Sequence, residues 1–420
     1  MYDHCTEVWG GVTRSFRDRD PERIAFFFLA GAMFAIAFSI ALGQTLAGLC
    51  FAATVVGLAA RRVRVRWPVE AWFAVAFAVV ALGTVLAGVD PHSLWKKTGK
   101  LCWFLLIPVT AMLVRNSGQA RALVVAFVTG CVVKGLETTV RNPFLAWRRP
   151  IPNFLTALID RGSMADGQVL MLGLVITLVM VLLAWREQRR LPGWLVVALV
   201  VQAVGLLLNF KRGSWICAIA LAGGVVLAHA RWRTWLVLLG VLAVLASLPP
   251  VQVRFAQLRG EFDDRSGGRM AMWTRITPAL IKAYPHGIGY GALTNDLMRK
   301  VYSRVERNRN HMHANWAQVL VETGWVGLAL YTVWMAWLAG AAVRGVWSAR
   351  LGPSPAYAAA TAVLLVVAGL LLNGVVEYNF GNSELMMVLA MFAGLLAALR
   401  RIAGVTPIPA EPGPPSAVAS

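Results

Sequence analysis

Apolar runs recur along the chain at close to membrane-spanning length, each cut from the next by a short polar junction. Twelve can be placed, at about 24–42, 46–60, 70–88, 101–114, 121–137, 168–185, 192–208, 214–230, 234–249, 314–341, 356–376 and 384–399. The pattern predicts an all-α polytopic membrane protein with about 12 transmembrane helices. It divides the chain into nine helices over 1–249, a long helical loop over 250–312, three helices over 313–402 and a Pro-rich tail over 403–420 whose composition is that of a disordered segment.

Every second junction is a short basic cluster: RSFRDRD before the first run, RRVRVR at 61, Arg115 with Arg121, REQRR at 186, RWR at 231, Arg344 with Arg350, and Arg400 with Arg401. Short basic loops stay in the cytoplasm. Both termini are therefore expected inside, and 138–165, 209–212, 250–312 and 377–383 outside. The first outer loop would be GQT at 43–45, and the next carries one acid, Asp90.

Composition agrees with the pattern. Hydrophobic residues make up 58% of the 420 and charged residues 14%, against about 25% charged in soluble domains. The five cysteines are odd in number, scattered and mostly inside apolar runs, which argues against a disulfide framework. The first run lacks a convincing cleavage site and reads as an anchor.

Charge changes the picture at the outer face. The 250–312 loop holds eleven Lys and Arg against five acids, an excess that orientation does not require and that suits an anionic ligand. Pairing with lipid phosphates is the alternative.

Three segments reach that face. In NFKRGSW, Lys211 and Arg212 close one run, Gly213 permits a tight turn and the next run starts at Ser214. In DDRSGGRMAMWTRITPALIKAYPHGIGYGALTND, Ser266 to Gly268 lead into an amphipathic helix from Arg269 to about Lys282, and PHGIGYG makes a glycine-rich turn. Arg265, Arg269 and Arg275 offer planar forks suited to phosphate oxygens. In RNHMHANWAQVLVETGWVGL, His311 and His313 stand at the mouth of the tenth run, where an imidazole can take a proton from an incoming hydroxyl or simply anchor the interface.

Asn315, Gln318 and Glu322 then fall on one inward helical face. Glu322, an acid inside a run, calls for a partner. Lys134 is the only obvious intramembrane cation, so a structural pair is expected. Metal chemistry finds little support: the outer loops offer few acids, Asp263 and Asp264 are flanked by arginines, and HMH lacks a third ligand.

The pattern resembles the O-antigen ligases and the related bacterial O-antigen polymerases. Their histidine opening a span, followed by E-x-G-x-x-G-L, is matched by His313 and ETGWVGL from Glu322. Their Ser-Gly-Arg-Trp segment leading to P-x-G-x-G-Y-G is matched by SGGRMAMW and PHGIGYG, and their R-[GS]-x-[WL] element by Arg212 to Trp215. The resemblance covers roughly 205–385. Members usually have asparagine directly after the histidine; here Ala314 intervenes before Asn315, and counting back from Gly324 favours His313 over His311.

The resemblance implies a GT-C type transferase of the bacterial inner membrane, acting on the periplasmic face. It would move O-antigen from undecaprenyl pyrophosphate, the donor, to a sugar hydroxyl of lipid A-core, the acceptor. Arg212 and Arg269, backed by Arg265, Lys211 and Arg275, would clamp the pyrophosphate and His313 would deprotonate the acceptor. His311, Asn315 and Tyr290 stand behind them as support. No nucleophilic carboxylate pair is evident, so a single inverting displacement without metal or cofactor is expected, with membrane lipids and no nucleic acid as further partners.

An O-antigen polymerase would show the same face with a second lipid-linked glycan as acceptor. A lipid or sugar transporter would also have about twelve spans, but should show interrupted helices at mid-membrane and several charges there. FLAW near 144 with the following RRPIPNFL could form a flap beside a lateral opening, or a plain loop.

Overall fold

The computed structural model describes residues 21–60, 63, 65–90, 98–148, 158, 162–188, 191–229, 232–256, 268–303, 305, 310–350 and 354–404. Among these, all regular structure is helical, as hydrocarbon requires of a chain that can find no partners for open main-chain groups. A helix lies at each of the twelve expected runs. They are α1 (Pro21–Ala35), α2 (Ile40–Ala59), α3 (Val69–Ala87), α4 (Leu106–Leu113, entered through a 3-10 segment, Gly99–Leu105), α5 (Ser117–Trp147), α6 (Met164–Gln188), α7 (Gly193–Asn209), α8 (Arg212–His229) and α9 (Trp232–Ser247). After the long loop, which contributes α10 (Pro249–Ala256), α11 (Arg269–Ala271 running through a π turn, Met272–Ile276, into Thr277–Ala283) and α12 (Asn295–Val301), follow α13 (Asn315–Ala349), α14 (Ser354–Gly374) and α15 (Ser383–Gly404). Seven of the described helices are long and apolar enough to cross a membrane on their own, and shorter apolar helices accompany them. The protein is a polytopic membrane protein.

The main core is built around α15, whose residues from Glu384 to Leu396 are all buried, as befits a helix that is apolar on every side. Lipid tails give helices no hydrophobic reason to associate, so close backbone approach matters. At the crossing of α5 and α7, a Cβ on Gly205 would lie 2.8 Å from the Gly135 Cα; any side chain there would drive the two helices apart.

Five contacts bring the expected outer segments to one end of the bundle: Arg141 to Asp166, Asn142 to the Leu208 carbonyl, Arg212 to the Arg254 carbonyl, Arg269 to Glu377, and Lys100 to the Gly381 carbonyl. The expected inner arginines gather at the other end, where Arg400 meets Glu70 and Arg401 caps the α4 carbonyls of Ala111 and Val114.

Three local expectations are corrected. GQT is not a loop but part of α2; the turn is 36–39, where the Ser39 hydroxyl accepts from Leu42 N and caps α2. Gly43 is there for contact, since a Cβ would lie 2.9 Å from Ile36 Cα. The tight turn after Asn209 is made by Phe210, at φ 56°, while Gly213 sits in the first turn of α8. FLAW continues α5 as helix, and RRPIPNFL lies largely outside the described residues.

Lys134 and Glu322 are not partners. Lys134 joins Asp166 at 2.9 Å and Glu137 at 3.2 Å, and Arg141 joins Glu137 at 2.7 Å and Asp166 at 3.2 Å, closing a four-membered ring between α5 and α6. Glu322 is held by neutral donors instead: Gln318 Nε2 at 2.7 Å and the main-chain N–H groups of Gly291 and Leu293.

Candidate active site

The long loop is seated by a break in α13. Gly324 stands at φ 65°, outside helical geometry, and the interruption leaves the preceding carbonyls without intrahelical donors. Ile288 N donates to Val321 O and Gly289 N to Glu322 O, both at 3.0 Å. The glycines permit this: a Cβ on Gly287 would lie 2.5 Å from the Glu322 carbonyl oxygen, and one on Gly324 would lie 2.8 Å from the His286 carbonyl carbon. The two glycine motifs, far apart in sequence, are thus the two halves of one joint.

Around the joint lies a second, smaller apolar core: Met272, Ile276 and Leu280 of α11, Ile288 and Leu293 of the turn, Met298 of α12, and Met312, Ala317 and Val321 at the start of α13. The Trp273 indole donates to the Met312 carbonyl at 2.9 Å, tying α11 to the residue before His313.

His313 is buried and adopts φ 51°, rare for a side-chain-bearing residue. Gln318 steadies it from within α13, its Oε1 accepting from Met312 N at 2.7 Å. Asn315 makes four hydrogen bonds, which saturate its amide. Its Nδ2 donates to Tyr331 Oη and Asn379 Oδ1, and its Oδ1 accepts from Asn379 N and Phe380 N. Asn315 therefore acts on the 375–382 turn between α14 and α15.

That turn carries Glu377. One carboxylate oxygen pairs with Arg269 Nη2 and the other lies 3.4 Å from His313 Nδ1. The Arg269, Glu377 and His313 side chains are 14%, 8% and 3% exposed, so these groups interact largely out of water. Burial alone would raise the Glu377 pKa, but the His313 hydrogen bond and the charges of Arg269, His313 and His311 outweigh it and hold the carboxyl below its usual range. The His311 ring lies 4.1 Å from that of His313 and 6.2 Å from Tyr378.

The start of α8 adjoins this group: a Cβ on Gly213 would lie 3.6 Å from Glu377 Cγ. Arg212, buried, donates from Nη1 to the Arg254 carbonyl at 2.8 Å. Lys211 is half-buried against α6, with Gly167 beside its Cβ.

The structure thus brings Arg269, His313 and His311 to Glu377, with Arg212 and Lys211 on the neighbouring turn. Arg275 is exposed and faces the Tyr302 ring at 5.8 Å. Tyr290 packs edge-on against Phe77 in the main core, where burial and then the Glu322 charge raise its hydroxyl pKa. Arg265 lies outside the described residues. Sequence reasoning missed Glu377, although an acid at the edge of an apolar run, the argument applied to Glu322, would have found it. It missed Arg254 as well, one of eleven cations in a loop with no pattern to rank them.

Chemically, a histidine whose Nδ1–H points to a carboxylate presents Nε2 as a base, and the guanidinium groups nearby can meet developing negative charge. No curated protein matches the chain. The family described as O-antigen ligase matches residues 197–332, which contain Lys211, Arg212, Arg269, His311, His313 and the Gly324 joint but not Glu377. Over residues 197–332 the chain is thus similar to the O-antigen ligase family, which points to a glycan-transferring enzyme of the ligase or polymerase type.

Proposed function

We propose that the protein transfers O-antigen from undecaprenyl pyrophosphate to a hydroxyl of lipid A-core at the periplasmic face of the inner membrane. The observation that carries this reading is the Glu377 carboxylate, which holds a base, His313, and a cation, Arg269, from separate segments at one end of the bundle. The acceptor O–H proton passes to His313 Nε2 while its oxygen attacks the anomeric carbon. The bond from that carbon to the phosphate oxygen breaks, and the pyrophosphate leaves with the electron pair. Arg269 and Arg212 stabilise the charge gathering on it without need of a metal, and a single displacement inverts the anomeric centre.

The test is reconstitution of the pure protein with lipid-linked glycan and lipid A-core in the presence of a chelator. Product is expected, and His313→Ala should abolish it while His311→Ala should slow it less. Strict metal dependence would overturn the clamp. The polymerase reading shares the matched domain; lipopolysaccharide from a deletion strain separates the two, since a ligase defect leaves long lipid-linked polymer and no O-chains, whereas a polymerase defect leaves a single-repeat cap.

A further inference from the structure

Arg254 lies on α10, 42 residues beyond Arg212 and outside every motif discussed above, yet two hydrogen bonds tie it to the Arg212 turn. Arg212 Nη1 donates to the Arg254 carbonyl at 2.8 Å, and Arg254 Nε donates to the Phe210 carbonyl at 3.0 Å. Phe210 is the residue in the left-handed conformation that turns α7 into α8. Arg254 therefore holds the turn from which Lys211 and Arg212 project and, through its own carbonyl, holds the Arg212 guanidinium.

Apolar contacts seat the same strap. Val251 is buried, and the Trp215 ring lies between Phe210 at 5.8 Å and Phe255 at 6.4 Å, its indole donating to Leu206 O at 2.7 Å. Three cations are thus brought to one turn by two segments. Positive charge gathered at one turn raises the local potential and draws anions toward it. The turn also borders the Glu377 group through Gly213, so an anion seated here lies beside the proposed base.

We propose that Arg254 is a positioning residue for a lipid-borne diphosphate: it aims Arg212 at the leaving group and adds a third positive charge to the seat formed with Lys211. This rests on the proposed transfer reading, and the experiment separates the two.

Inorganic pyrophosphate is titrated calorimetrically into the full-length protein in nanodiscs, in metal-free buffer, and donor KM and kcat are measured on the same samples. Wild-type protein should bind pyrophosphate. Arg254→Ala should weaken that binding about tenfold or more and raise the donor KM with a smaller effect on kcat, leaving the acceptor KM and the melting temperature unchanged. Arg254→Lys, which can still donate to the Phe210 carbonyl, should recover part of the loss. Wild-type protein indifferent to pyrophosphate would overturn the diphosphate seat itself. Arg254→Ala binding as tightly as wild type, or losing binding only in step with melting temperature, would overturn the role of Arg254 and leave the seat standing.

Discussion

Glu377 Oε2 lies 3.4 Å from His313 Nδ1 while the other oxygen of the same carboxylate pairs with Arg269. One acid thus faces the imidazole and anchors the guanidinium. Glu377→Gln keeps the shape, but its amide can reproduce neither the charge nor both acceptor contacts. Transfer should fall by about two to four decades, the scale seen when the acid behind a catalytic histidine is replaced by its amide. Single-turnover rates with saturating donor check this.

The same carboxyl makes a pH prediction. Its folded-state pKa is depressed, so its contribution to stability is present above the unfolded value of about 4.3 and is lost as pH falls through the lower folded value. Melting temperature should therefore drop on acidification below about pH 4.3, and Glu377→Gln should flatten that part of the profile. An unchanged acid limb in the variant would assign the titration to another group.

Asn315 makes four hydrogen bonds, three of them to residues 379 and 380. Asn315→Ala should cost about 2–4 kcal/mol at roughly 1 kcal/mol per bond and slow transfer by displacing the Glu377 turn. Asn315→Asp keeps the acceptor but loses the donor to Tyr331 and Asn379, so it should fail to rescue. Chemical denaturation and activity of both variants decide the matter.

Gly324→Ala must place a methyl 2.8 Å from the His286 carbonyl carbon at a positive φ. Backbone strain of this kind costs about 1–3 kcal/mol. The turn at 285–293 should lift from α13, and hydrogen exchange at Ile288 and Gly289, whose N–H groups are bonded in the joint, should accelerate ahead of global unfolding.

Lys134→Met leaves Asp166 buried with only Arg141 from the ring. Removing one member of a buried ion pair costs about 3–5 kcal/mol, whereas removing both can be close to neutral. Lys134→Met should thus lower the melting temperature sharply, and adding Asp166→Leu should restore part of it.

The helices were legible because hydrophobic run length is a local property, and the sorting of junctions between the two ends of the bundle because basic clusters alternate. The loop read at GQT and the turn read at Gly213 both failed, since Gly43 lies within α2 against Ile36 and Gly213 within the first turn of α8, whereas the true turns fall at Ser39 and Phe210. His313 and Arg269 were visible as motif residues. Their common partner was not, because the link between residues 269, 313 and 377 exists only once three segments meet, and run length carries no information about that meeting. The Lys134 pairing failed for a similar reason: Asp166 and Glu137 sit at the ends of runs, where the sequence suggests surface.

Arg269 and His313 ride on the small apolar nucleus that also holds the 285–293 turn, whereas Glu377 projects from the large one. The three groups therefore bridge two apolar clusters that α13 and the 285–293 turn also link. Loosening either cluster would therefore change the separation of acid from base, so packing remote from the proposed chemistry should be felt in proton transfer.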